Sequence, residues 1–199
     1  MDEGLKIDIG CGAAKREGFI GLDYAALPGV DHVLDLTRDP FPFPDASVSH
    51  VYSAHFFEHI GAPNHVLSEI GRVCRDGATI EIVTPYAFSS DAFVYGHITF
   101  LTELPWLQFC VSHRDDHLDM LRGRWLLDAI NFVILQRVEQ EVLQNKFSVD
   151  FAIKYLKGVV IEFSVEMTFR RDLSAAAVSP RYTYSHARNG ERYALKTFH

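Results

Sequence analysis

The sequence predicts an α/β domain on a doubly wound, mostly parallel sheet of about seven strands, and three observations carry that expectation. Short apolar segments recur between turn signals at Leu5 to Ile9, Phe19 to Leu22, His32 to Leu36, Val48 to Ser53 and Ala78 to Thr84. Ahead of the last of these, Val66, Leu67, Ile70 and Val73 repeat at the spacing of one buried helical stripe, in a helix that starts near Pro63 and ends at Asp76-Gly77. Strand, helix and strand in that order make a parallel crossover. The third observation is a glycine turn, Gly10-Cys11-Gly12, closing the first strand, and a carboxylate, Asp23, closing the second. Sheets of this kind bind ligands outside the carboxyl ends of their strands, where such groups stand.

The elements follow in order. Gly10 and Gly12 let the backbone turn sharply and approach a ligand, and Asp23 is placed to accept hydrogen bonds from both hydroxyls of a ribose. The third glycine of a dinucleotide fingerprint is replaced by Ala13-Ala14-Lys15, which weakens a pyrophosphate reading. Only Cys11 to Gly18 separate the first two strands, too few for a crossover helix, so that helix is expected to be a turn or absent, with Lys15 projecting from the loop that replaces it. Asp39-Pro40-Phe41-Pro42-Phe43-Pro44-Asp45 is too dense in proline for a helix or central strand and reads as a rigid loop into the fourth strand.

After Thr84 the chain turns polar and aromatic, from Tyr86 to His97, and a lid insertion is expected around residues 86–130. Within it, Thr102 reads as the N-cap of a short helix from Glu103 to Cys110. Phe132 to Leu143 reads as a sixth strand, with a helix as the alternative. Ser148-Val149-Asp150 opens a helix that Gly158 closes, and Val159 to Arg170 alternates as a final strand. From Val178 no period is evident, and Arg181, Arg188, Arg192 and Lys196 face only Glu191. The expected organisation is one domain over residues 1–175 and a solvated tail over 176–199, in preference to a basic docking arm.

A chain of 199 residues with 48% hydrophobic composition fits one domain with a sizeable core. It has no run of eighteen apolar residues, and Met1-Asp2-Glu3-Gly4 is acidic where a secretory signal is basic, so a soluble cytoplasmic protein is expected. A net charge of −7 argues against nucleic acid or an anionic membrane as a partner. Cys11, Cys74 and Cys110 lack zinc-ligand spacing and read as reduced thiols.

Six segments in order then carry a family resemblance: Asp8-Ile9-Gly10-Cys11-Gly12; Gly21-Leu22-Asp23; Val33-Leu34-Asp35-Leu36; Pro42-Phe43-Pro44-Asp45-Ala46-Ser47-Val48; Ser53-Ala54-His55-Phe56-Phe57-Glu58-His59-Ile60; and Leu67-Ser68-Glu69-Ile70-Gly71-Arg72-Val73 leading to Asp76-Gly77. Together they resemble the class I S-adenosylmethionine-dependent methyltransferases, of the small type 11-like branch associated with sugar and polysaccharide gene clusters, over roughly residues 5–171. The resemblance implies a Rossmann-like sheet with a shortened first crossover, S-adenosyl-L-methionine as cofactor and S-adenosyl-L-homocysteine as product. This cofactor has a ribose and an adenine but no phosphate, which suits a glycine turn and an acidic ribose acceptor without the third glycine.

By resemblance, Asp8, Gly10, Cys11 and Gly12 would line the methionine moiety. Asp23, with Tyr24 beside it, would hold the ribose; Asp35 and Leu36 would bracket the adenine; and Ser53, Ala54 and His55 would lie beside the sulfonium. Plainer readings stand next to these: Asp8 as a carboxylate anchoring its loop, Asp35 as a turn former, and Lys15 as a solvated lysine in place of a contact to the cofactor carboxylate.

Methyl transfer from a sulfonium is an in-line displacement that draws on positioning and desolvation, and no metal is expected. A hydroxyl acceptor needs its proton removed, and His55 and His97 are the candidate catalytic bases. Glu58 and His59 are read as fixing the connection into the next helix. His113 and His117, with Asp115 and Asp116 between, have metal-ligand spacing but read better as an exposed helix start. Tyr86, Phe88, Tyr95 and Trp106 fit an aromatic wall and lid packing equally well.

The expected function is methylation, at oxygen, of a small-molecule or glycan acceptor by a monomer or homodimer. One alternative is an inactive cofactor-binding protein with a regulatory or partner-binding role. A nicotinamide-dependent oxidoreductase is disfavoured by the missing glycine and by the 15 residues from Asp8 to Asp23, against roughly 20 in that fingerprint.

Overall fold

The computed structural model describes residues 4–196. Its strands are β1 (Leu5–Ile9), β2 (Ile20–Asp23), β3 (His32–Val33), β4 (Val48–Ala54), β5 (Cys74–Pro85), β6 (Arg124–Val133), β7 (Glu162–Arg170), β8 (Arg181–Ser185) and β9 (Arg192–Ala194). They form one sheet in the order β3-β2-β1-β4-β5-β7-β6-β8-β9. The pairs from β3 through to β5 are parallel, β7 is antiparallel to both β5 and β6, and β8 runs parallel to β6. The chain order reverses between β1 and β4, and the carboxyl edge of the sheet at that point holds the glycine turn.

The first crossover has no helix, as the short gap predicts, and β2 to β3 and β3 to β4 are also joined by loops. Glu69, buried, and Arg72, half-buried, hold the last of these loops instead. Glu69 Oε2 accepts from Phe41 N at 2.8 Å, and Arg72 donates to the carbonyls of Phe41 and Phe43, both at 2.9 Å, and to Asp45 Oδ1 at 2.7 Å. The proline-rich loop is thereby stapled to α1 (Asn64–Val73), whose apolar stripe of Val66, Leu67, Ile70 and Val73 is buried as read.

Several expectations are corrected. Helix α1 ends at Val73, because β5 already begins at Cys74 and Asp76-Gly77 lies within it. The sixth strand is Arg124–Val133, and Gln136–Gln144 is a helix, α4. The insertion after β5, expected around 86–130, ends before Arg124, where β6 begins. It carries two short helices, α2 (Leu104–Leu107), which runs on into a wider helical turn at Gln108–Ser112, and α3 (Leu118–Leu121), reached through residues 113–117. Trp106, Cys110 and Leu121 from this segment are buried in the core. The N-cap of α2 is Glu103, without a side-chain capping bond, and Thr102, read as the cap, stands one residue before it with Oγ1 accepting from Leu104 N at 3.3 Å. Helix α5 (Val149–Tyr155) is capped by Ser148, whose Oγ accepts from Phe151 N at 3.2 Å.

The reading of residues 176–199 as a solvated tail is also corrected, since β8 and β9 extend the sheet and β8 pairs with β6 from Ala129↔Arg181 to Val133↔Ser185. Arg188 and Arg192, read as solvated, pair with Glu162 and Glu166. Residues 197–199, and the acidic start at Met1-Asp2-Glu3, lie outside the described residues. Among the described residues no helix is long and apolar enough to cross a membrane. All three cysteines are free and buried.

Helix α3 packs against α1 through Gly71, where a Cβ would stand 2.0 Å from Leu121 O. Gly71→Ala therefore forces two helices apart and is expected to cost roughly 1–3 kcal/mol of stability. Denaturant unfolding checks it, and an unchanged midpoint would contradict the contact.

Candidate active site

At the carboxyl end of β1 the chain turns back on itself with Gly10 at φ +69° and Gly12 at φ +53°, the left-handed region that favours glycine. Gly10 N and Cys11 N both donate to Leu22 O, at 2.9 and 3.2 Å, which folds the turn over β2. A Cβ on Gly10 would meet the Phe56 ring at 2.6 Å, whereas the space above Gly12 is open. Asp23 is buried, with Oδ2 accepting from Gly12 N at 2.8 Å and Oδ1 from Ala25 N at 3.0 Å. Each oxygen keeps lone-pair capacity for a further donor.

These groups open onto a cavity of about 580 Å³ lined by Gly10, Gly12, Asp23, Tyr24, Ala25, Leu27, Asp35, Leu36, Thr37, His55, Phe56, His59 and Ile60. Two other grooves involve β8, and neither contains a glycine turn or a buried carboxylate.

Seven of the residues read from the sequence meet in this cavity: Gly10, Gly12, Asp23, Tyr24, Asp35, Leu36 and His55. Tyr24 is largely exposed at its mouth. Asp35 accepts from Thr37 N at 3.0 Å and Thr37 Oγ1 at 2.6 Å and pairs with Arg38, and the Thr37 hydroxyl beside it holds its carboxyl below the usual range. It forms the turn read as its plainer role and still lines the pocket.

Asp8, Cys11, Ser53 and Ala54 lie behind the wall. Asp8 Oδ2 accepts from Arg16 N at 2.8 Å, anchoring the loop that replaces the first helix, and burial pushes its carboxyl up. Burial likewise pushes the Cys11 thiol up to about 11. Ser53 Oγ donates to Ile9 O at 2.9 Å, pinning β4 to β1. Lys15 pairs with Asp31 at 2.7 Å, away from the cavity. Tyr86 and Trp106 are core residues, while Phe88 and Tyr95 are exposed, so no single aromatic wall forms. His113 and His117 do not converge, the first meeting Ser112 Oγ and the second the Phe109 ring.

His55 stands at the end of β4 with φ +57°, a strained conformation for a non-glycine residue. Its Nδ1 meets Glu58 Oε1 at 3.1 Å and its Nε2 meets Glu162 Oε2 at 2.9 Å. Glu162 begins β7, and because β7 is antiparallel to β5 its first residue arrives at the same carboxyl edge. Arg188, in the turn after β8, donates to both Glu162 oxygens, at 3.0 and 2.7 Å, and its Nη2 stands 2.5 Å from His55 Nε2.

Two carboxylates balance the guanidinium and an imidazolium, so the cluster favours a proton on His55. Hydrogen bonds to Glu162 and then Glu58 raise its pKa to about 9. Burial pulls Glu162 the other way, but the bonds from His55 and Arg188 prevail and hold its carboxyl down to about 2. Sequence reading missed Glu162 and Arg188, which lie 107 and 133 residues from His55. A buried carboxylate opening a strand is the only signal available, and it marks just the first of them.

His97 is half-buried beyond the cavity lining, its ring edge-on to His59 with centroids 4.8 Å apart. Glu58 and His59 belong to a tight turn at Phe57–His59. They do fix a connection, though to the 97–99 segment, since Glu58 O accepts from Ile98 N at 2.8 Å and Thr99 N at 3.1 Å.

Comparison with known proteins agrees with this geometry. Residues 23–82 match the family model described as a methyltransferase domain. A crystal structure of an S-adenosylmethionine-dependent methyltransferase from Archaeoglobus fulgidus superposes with a TM-score of 0.57 at 16% identity, over 83% of this chain and 87% of that one. The complex of the Haloferax volcanii Trm112 methyltransferase activator with its methyltransferase gives 0.54 at 17% identity, over 84% and 82%. The [4+2]-cyclase SpnF gives 0.52 at 13%, over 84% and 74%, so this fold also serves a different reaction. No curated protein matches in sequence. The fold is that of the S-adenosylmethionine-dependent methyltransferases, and residues 23–82 carry the methyltransferase-domain pattern.

Glu162 gives a measurable consequence. Its folded pKa lies near 2, below the ordinary 4.5, so its contribution to stability is present above about pH 4.5 and is lost as pH falls toward 2. Glu162→Gln is expected to lose less stability than the wild type on acidification through that window, measured as denaturant midpoints. Equal losses would contradict the charged cluster.

Proposed function

We propose that this chain transfers the methyl group of S-adenosyl-L-methionine to an oxygen of a small-molecule or glycan acceptor. The carrying observation is the junction of the Gly10 and Gly12 turn with the buried Asp23 carboxylate over one cavity, at the strand end where the chain order reverses. The residues fit that cofactor. The space above Gly12 is open where a side chain would intrude, Asp23 offers lone pairs to a ribose diol, and β1 leads into a loop in place of the helix N-terminus that a phosphate would favour. Tyr24, Leu27 and Leu36 supply apolar surface for a purine.

When bound, the cofactor supplies a sulfonium methyl that needs only a positioned nucleophile. The protein's share is alignment and exclusion of water. Phe56 and Ile60 line the cavity near His55, and the imidazolium of His55, fixed between Glu58 and Glu162, holds the end of β4 rigid. Both His55 nitrogens are engaged, so we read it as a positioning residue, and activation of the acceptor falls to His59, which lines the cavity, and to His97, edge-on to it just beyond the lining.

Titration calorimetry tests the cofactor assignment. S-adenosylhomocysteine is expected to bind at one site and NAD to show no saturable binding. Asp23→Ala is expected to weaken the former about ten- to a hundredfold through lost charged hydrogen bonds. Saturable binding of NAD alone would overturn the reading. Binding of S-adenosylhomocysteine with no transfer to any acceptor in a broad panel of glycans and small alcohols would favour a non-catalytic role.

A further inference from the structure

We propose that Glu58, His59 and His97 form a site for one divalent transition-metal ion of the zinc class at the rim of the pocket, where the ion takes the acceptor hydroxyl as a further ligand. One ligand atom from each of the three residues lies within 4.8 Å of the other two. Two imidazoles and a carboxylate are the donor set of open, borderline-metal sites. With bonds of about 2.1 Å in a tetrahedral site, an ion would draw these atoms together by up to roughly 1.4 Å, within the reach of side-chain torsions.

Two features point to a cation, and a third holds the site together. Glu58 is 2% exposed, and its Oε2 has no hydrogen-bond partner although the oxygen is buried. An orphaned carboxylate oxygen of this kind is costly unless something positive completes it. Both histidines have Nδ1 on a backbone carbonyl, His59 on Gly96 O at 3.2 Å and His97 on Ala92 O at 3.3 Å. That contact fixes Nδ1 as the protonated nitrogen and leaves the Nε2 lone pair for a metal, the orientation that outer partners of ligating histidines impose. Finally, the two halves are locked in register: Ile98 N and Thr99 N donate to Glu58 O, and Thr99 Oγ1 donates to Ile60 O at 2.6 Å.

The acceptor half of the proposal rests on the methyl-transfer reading. His59 lines the cavity, so an ion on it faces the space where the acceptor must lie. An acceptor hydroxyl on the ion loses its proton to solvent. The resulting oxygen forms a bond to the methyl carbon as the carbon–sulfur bond breaks, and the sulfur leaves as a neutral thioether. This supplies the activation that His55, with both nitrogens engaged, does not.

Zinc titration of the full chain after chelator treatment tests the site, with cobalt as a spectroscopic probe. One zinc per chain is expected. His97→Ala and His59→Ala should each weaken binding at least about tenfold and abolish the visible cobalt bands, while His117→Ala leaves both unchanged. His97 is a half-buried residue on an otherwise largely exposed loop, so its variant also serves if His59→Ala fails to fold. Absence of stoichiometric zinc, or wild-type affinity in the His97 variant, overturns the site. S-adenosylhomocysteine is titrated in parallel. If it binds and zinc does not, the metal proposal alone fails; if zinc binds and it does not, the acceptor half falls with the methyl-transfer reading.

Discussion

Two buried carboxylates accepting backbone amides, Asp8 from Arg16 and Asp23 from Gly12, are the constraint on which the pocket depends. In a sheet with a full first crossover, a helix satisfies the amides that follow β1. Here the connection is too short, and a loop left to itself would cost conformational entropy and leave the glycine turn unfixed. The two aspartates, one within β1 and one at the end of β2, take over that role from the strands themselves, and each is buried because it has an amide to accept. Gly10 and Gly12 can then hold left-handed conformations with Phe56 packed beneath the first of them.

From that fixed floor the rest of the site is a matter of sheet direction. Strand β4 delivers His55 and the turn carrying Glu58 and His59. Because β7 is reversed, it delivers Glu162 at its start, and β8, again parallel to β6, delivers Arg188 after its end. Four charges from three strands meet at one edge, and their mutual pairing offsets the cost of burying them and of holding His55 at positive φ. The same edge leaves Oε2 of Glu58 without a hydrogen-bond partner, on a residue that clusters with His59 and His97.

Much of the fold was legible because its signals are local. Glycines at a strand end, a helical stripe in α1, a proline-dense loop and a gap too short for a helix each act over a few residues. The misread segments are those where two local signals merge or compete. Phe132 and Val133 end a strand, but the apolar run continues through Ile134 into Val138 and Val142 of α4, so strand and helix read as one. The alternation Arg181-Tyr182-Thr183-Tyr184-Ser185 is a strand pattern masked by the surrounding arginines, whose partners Glu162 and Glu166 belong to β7. The candidate site was legible at its glycines and at Asp23. The partners of His55 and the meeting of His59 with His97 were not, because long-range pairing is decided by sheet order and by turns that no spacing rule encodes.

Hydrogen–deuterium exchange on Asp8→Ala tests the central claim most directly, with S-adenosylhomocysteine affinity measured on the same sample. Asp8 lies behind the pocket wall, so a floor held by carboxylates predicts faster exchange across residues 10–18 and weaker ligand binding at a site the substitution does not touch. Unchanged exchange in that loop together with unchanged affinity would contradict it.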